Sequence, residues 1–68
     1  MQITITLNGE PRACAAPLTV AGLVHALALD GRKIAVERNQ EIVPRGRYDA
    51  TELGQGDRLE IVHFIGGG

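Results

Sequence analysis

Paired cysteines, a surplus of charge of either sign and long apolar runs are all missing from this chain, and each absence closes off a class of function. The one cysteine, Cys14, excludes an internal disulfide and any zinc or iron-sulfur site built from several thiolates, and it suits a reducing compartment. Seven Lys and Arg stand against eight Asp and Glu, a formal net charge of -1. The cations are scattered rather than clustered, so the basic surface that a phosphate backbone requires is lacking and no nucleic-acid partner is expected. No apolar stretch approaches the roughly 20 residues that span a bilayer, so no membrane association is expected. Met1 to Leu7 alternate polar and apolar side chains where a secretory leader would run basic and then continuously apolar, and the expected location is the cytoplasm. Aromatic rings are nearly absent too: Tyr48 alone can anchor the polar stretch from Arg45 to Glu52, and Phe64 is the single phenylalanine.

With 68 residues the chain is expected to form one small domain. Folds of this size bury only about 60% of the unfolded surface, which leaves little volume for an enclosed active site, so an autonomous enzyme is not expected. No linker, internal repeat or low-complexity segment divides the sequence.

What is present reads clearly in order. Ile3, Ile5 and Leu7 alternate with Gln2, Thr4 and Thr6, the period of a half-buried strand. Asn8-Gly9 follows, two residues that accept the positive φ of a tight type I′ turn, and predicts a hairpin into a weaker strand from Glu10 to Ala16. Thr19 is placed to cap a helix whose stripe is Val20, Leu23, Val24 and Leu27, with Asp30-Gly31 as the expected stop. Gly22 within that helix costs about 1 kcal/mol relative to alanine, so packing must hold it. Ile34 and Val36 mark a third strand, Asn39-Gln40 a turn, and Glu41-Ile42-Val43 a brief strand ended by Pro44. Gly56-Asp57 turns the chain into a last strand from Arg58 to Ile65. Strand, strand, helix, strand, strand, loop, strand predicts an α+β fold, a mixed sheet with one helix across one face.

That order is the β-grasp, ubiquitin-like arrangement, and along nearly its whole length the chain resembles the ThiS family, bacterial sulfur carriers of thiamine thiazole biosynthesis. The matching residues are Met1-Gln2-Ile3 leading to Leu7-Asn8-Gly9-Glu10, Thr19-Val20, Asn39-Gln40-Glu41-Ile42-Val43-Pro44-Arg45 followed by Tyr48, Gly56-Asp57, and the glycines Gly66 to Gly68. The Asn-x-x-Ile-Val-Pro-Arg segment is the most specific of these. The expected division is a β-grasp domain over residues 1–65 and a flexible glycine tail over 66–68.

The resemblance implies a carrier whose reactive group is its own C-terminal carboxylate. A ThiF-like, E1-like adenylyltransferase would use ATP to convert it to an acyl-adenylate, and sulfur from a persulfide donor would then give a thiocarboxylate. That sulfur would pass to a ThiG-like thiazole synthase. The family ends in Gly-Gly and this sequence in Gly-Gly-Gly, so the reactive carboxylate is expected on Gly68, or on Gly67 if the last residue is trimmed or added. The chain itself would bind no cofactor and would supply no catalytic residue. A sibling carrier of molybdopterin synthesis, or a β-grasp binding module without tail chemistry, shares the same core.

In the last strand Leu59 and Ile61 share one parity and are expected to face the core. Val62 and Phe64 then face away, and with Ile65, Gly66 and Gly67 form the expected partner-binding segment. Phe64 has a structural alternative, capping the end of the core. Cys14 reads as a buried small hydrophobe rather than a nucleophile. His25 and His63 lack companions at ligand spacing, so no metal is expected. Arg45 and Arg47 read either as contacts to an acidic partner or as solvated loop charges.

Overall fold

A computed structural model describes residues 1–64; Ile65 to Gly68, and with them the expected tail, lie outside the described residues. Five strands form one sheet in the order β2-β1-β5-β3-β4: β1 Gln2–Leu7, β2 Glu10–Ala15, β3 Ile34–Arg38, β4 Glu41–Ile42 and β5 Arg58–His63. The helix α1, Val20–Ala26, lies between β2 and β3 in the chain. The central pair β1 and β5 is parallel, and the other pairings are antiparallel. The expected mixed sheet with one helix is therefore the observed fold.

Alternation decides which face is covered. Ile3, Ile5, Ile34, Val36 and Leu59 are all buried, and they meet Val20, Leu23 and Val24 of α1 in a single core. Asn8 (φ 50) and Gly9 (φ 86) make the first hairpin turn with both residues left-handed, as the sequence predicts. Asn39 (φ 52) and Gln40 (φ 72) repeat that geometry between β3 and β4 without a glycine.

Every amide at the start of α1 has a partner. Thr19 Oγ1 accepts from Gly22 N at 3.0 Å, and its carbonyl accepts from Leu23 N. The loop after β4 supplies the rest, Thr51 O to Val20 N and Tyr48 O to Ala21 N. The buried Tyr48 side chain fastens that loop to the fold, and Arg45–Arg47 within it form a short 3-10 turn. A Cβ on Gly22 would stand 2.9 Å from Leu18 Cδ1, so the glycine accommodates the close packing of Leu18 on the first turn.

The helix ends earlier than the sequence pattern indicates. Ala28 takes φ 59, its N–H donates to His25 O, and Leu29 N donates to Val24 O. This pair of bonds is the Schellman termination normally built on glycine. Asp30-Gly31 is thus not the stop: Asp30 instead caps the next 3-10 turn, Gly31–Lys33. Its carboxylate accepts from the side chain of Arg32 and then from the Arg32 backbone, which together hold its pKa down at about 2. The second strand also closes one residue sooner than expected, at Ala15, and the fourth covers only Glu41–Ile42, with Val43 buried just beyond it.

Asp57 ties the turn before β5 to the one after β3. It is buried, and it accepts from Gly54 N at 2.8 Å, Arg38 Nε at 2.9 Å and Asn39 Nδ2 at 3.1 Å. Burial alone would raise its pKa, but the bonds from Gly54, Asn39 and Arg38 outweigh it and leave the value lowered. Asp57→Ala is expected to destabilise the fold by about 2–3 kcal/mol in urea unfolding, since three donors lose a charged acceptor. Because the folded pKa lies below the unfolded one, this contribution is complete above about pH 4 and is lost as the pH falls through the folded value. The parent should therefore lose stability below about pH 4 more steeply than the alanine variant.

Candidate functional site

The site is the upper half of β5 and the open sheet face around it. Three polar side chains set the strand in place. Asn39 Oδ1 accepts from Arg58 N at 3.0 Å on the β3 side, while Asn39 Nδ2 holds Asp57. On the other side β1 ends at Leu7, opposite Leu59. There the Asn8 side chain substitutes for a further strand residue: its Oδ1 accepts from Ile61 N at 2.8 Å and its Nδ2 donates to Ile61 O at 3.3 Å. Asn8 N also donates to Leu59 O, so one turn residue extends the parallel pairing past the end of β1.

Leu59 is buried and Ile61 packs against the core, as their shared parity predicts. Val62 and Phe64 are 58% and 54% exposed, and neither joins the core. The strand itself ends at His63, short of the expected Ile65, but Phe64 N still donates to Lys33 O at 2.9 Å. That bond extends the β3 pairing by one residue, so the backbone of Phe64 is fixed while its ring is exposed. The alternative of Phe64 capping the core is not what the packing gives. Ile42, 63% exposed, lies on the same open face. Ile65, Gly66, Gly67 and Gly68 lie outside the described residues.

The remaining candidates are dispersed. Cys14 is buried, with Sγ 3.9 Å from Arg12 O and no base beside it. His25 is exposed on α1 and His63 is exposed at the end of β5. No group of three metal-ligating side chains occurs among the described residues. Arg45 Nη2 donates to Arg32 O at 3.2 Å, a tie between two loops. Arg47 lines an open groove of about 380 Å³ with Arg38, Ile42 and Pro44. No helix among the described residues is long and apolar enough to cross a membrane.

The anchoring roles of Asn8 and Asp57 are not evident in the sequence, where each reads only as a turn residue. The Asn-Gly and Gly-Asp pairs were the available signals, but the Asn8 amide bonds a residue 53 positions away. Asn39 in the Asn-x-x-Ile-Val-Pro-Arg segment acts structurally, joining the β3–β4 turn to the start of β5.

The ThiS family model matches residues 5–68. The chain belongs to the ThiS family. It is 44% identical over 50 residues to the sulfur carrier protein ThiS of Bacillus subtilis, covering 74% of this chain and 76% of that one. The crystal structure of the thiamine biosynthesis protein ThiS from Geobacter metallireducens superposes with a TM-score of 0.84 at 36% identity, covering 97% of this chain and 100% of that one. This ThiS-family likeness bears out the β-grasp fold. A thiazole synthase of Paramagnetospirillum magneticum is 52% identical over 64 residues, which are 94% of this chain but only 20% of that protein. The ThiS-family chain thus spans about a fifth of the length of that relative.

Proposed function

We propose that this ThiS-family chain is a sulfur carrier in thiamine biosynthesis, a protein cosubstrate rather than an enzyme. Its reactive group is the carboxylate of Gly68, or of Gly67 if the last residue is trimmed or added. The observation that carries the reading is the family match, which runs through the glycines to residue 68. The exposed Val62 and Phe64 on a firmly held β5 support it, because they offer a docking surface just ahead of the glycines.

The chemistry follows from the poor reactivity of a carboxylate toward nucleophiles. A ThiF-like adenylyltransferase activates it with ATP: a carboxylate oxygen attacks the α-phosphate, pyrophosphate leaves, and the acyl carbon becomes electrophilic because AMP is a good leaving group. The terminal sulfur of a persulfide donor attacks the acyl carbon and displaces AMP, giving an acyl disulfide. A thiol then cleaves its S–S bond, leaving with the donor sulfur as a disulfide and releasing the thiocarboxylate, a strong nucleophile. A ThiG-like thiazole synthase then takes that sulfur into the thiazole ring. ATP belongs to the partner, and this chain contributes the acyl group, the slender glycines and the docking face. Water exclusion in the partner's site would protect the hydrolysis-prone adenylate. The cytoplasm, where thiols stay reduced, suits a persulfide-fed cycle and the free Cys14.

The test is ATP-pyrophosphate exchange by the ThiF-like enzyme. Exchange that depends on added chain, and that stops when Gly67 and Gly68 are deleted, is the expected result. Exchange at the same rate without the chain would overturn the proposal.

A further inference from the structure

We infer that the partner surface seated on the open sheet face carries a lysine or arginine side chain, ringed by apolar residues, that enters between Glu37 and Glu60. This inference rests on the carrier reading and names the chemistry of the surface that reads the carrier.

Glu37 and Glu60 are register partners across β3 and β5. Their neighbours Val36 and Leu59 are buried under α1, so both carboxylates project from the opposite, uncovered face. Asn39 N donates to Arg58 O and Phe64 N to Lys33 O, and the alternation between these two points makes 37 and 60 a hydrogen-bonded pair. In that geometry the two Cα atoms lie about 5.5 Å apart. Like charges placed directly opposite destabilise a sheet.

Among the described residues no neighbouring cation forms an ion pair with either carboxylate. Arg38 points to the other face and is bound to Asp57. Arg58 shares the open face two residues before Glu60, and Lys33 lies in the 3-10 turn beside Phe64. The ion pairs among the described residues are Asp30 with Arg32 and Arg38 with Asp57, so neither Glu37 nor Glu60 has one.

Apolar side chains surround this acidic centre. Ile42 is the register partner of Glu37 on its β4 side, and Val62 with Ala35 forms the next cross-strand pair. Phe64 follows Val62 on β5's side. Ile42, Val62 and Phe64 are each more than half exposed. A partner that covers this rim strips water from the carboxylates and strengthens their attraction for a cation. One cationic side chain then meets two carboxylates at once, which relieves their repulsion. Complementary charge of this kind sets register and rejects partners with an acidic face.

The test is a Glu37→Gln, Glu60→Gln double variant alongside Glu60→Lys, each assayed for adenylation by the ThiF-like enzyme and for urea unfolding. The double variant is expected to be at least as stable as the parent, because a repulsion is removed. Its KM should rise roughly tenfold with kcat unchanged, and KM should respond less to added salt. Glu60→Lys, which places opposite charges across the strands, should gain stability and raise KM further. Parent-like KM in both variants, with the parent itself adenylated, would overturn the inference and leave the carrier reading standing. Loss of stability in the double variant would also overturn it, because the pair would then serve the fold. A parent that is not adenylated at all would remove the carrier reading and this inference together.

Discussion

Gly67→Ala is expected to slow adenylation of the chain by about 10²-fold while its urea midpoint stays at the parental value. The expected cause is geometric: a Cβ widens the backbone where it must thread a narrow partner channel, and a misplacement of about 1 Å at a reacting centre can cost about 10²-fold. Glycine presents no such atom, and a run of it is otherwise a poor choice, since it loses more conformational freedom on ordering than any other residue. Gly68→Ala should act in the same direction. The buried core among the described residues runs from Ile3 to Leu59, with Ile61 packed against it, and is built without either glycine. The check pairs steady-state adenylation with unfolding on the same preparation. A variant adenylated at the parental rate would refute the channel argument, and one that unfolds early would mean the glycines serve the fold.

Phe64→Ala carries the second large effect. The side chain is 54% exposed and contributes nothing to the core cluster, so stability should change by no more than about 0.5 kcal/mol. Its backbone is held by the Phe64 N to Lys33 O bond, so the ring offers a large apolar area on a backbone with little freedom left to lose on docking. Aromatic anchors at the centre of an interface typically cost about 2 kcal/mol or more on truncation, which is about a 30-fold rise in KM for the adenylyltransferase. Val62→Ala should weaken docking less, because a smaller side chain is removed. An unchanged KM for Phe64→Ala would place the docking surface elsewhere. A marked fall in stability would restore the core-capping role that the sequence left open.

Much of the fold was legible because its determinants are local. The alternation of Ile3, Ile5 and Leu7, the Asn8-Gly9 turn and the Thr19 cap each act within a few residues, and each appears where the sequence placed it. The helix stop was misplaced for a physical reason. Ala28 adopts the left-handed geometry that ordinarily selects glycine, and the next glycine, Gly31, drew the boundary too far along the chain. The parity of β5 was legible from Leu59 and Ile61, and with it the exposure of Val62 and Phe64.

What stayed hidden depends on strand register and long-range pairing. Nothing in the linear chain sets Glu37 opposite Glu60, since their meeting follows from the β3–β5 alignment. The Asn8 amide replaces backbone partners for Ile61, and Asp57 gathers donors from Arg38, Asn39 and Gly54. These contacts also tie Asn39 to Asp57, two separate stretches of the family resemblance. Both contribute to the same task, the placement of β5 ahead of the glycines.

The most direct measurement is the intact mass of the chain before and after incubation with ATP, the ThiF-like adenylyltransferase, a persulfide sulfur source and a thiol reductant, followed by mapping of the C-terminal peptide. The carrier reading predicts a gain equal to the replacement of one oxygen by one sulfur, located on the terminal glycine and absent after deletion of Gly67 and Gly68. No gain, with the enzyme active on another carrier, would contradict it, as would a sulfur found on Cys14 instead.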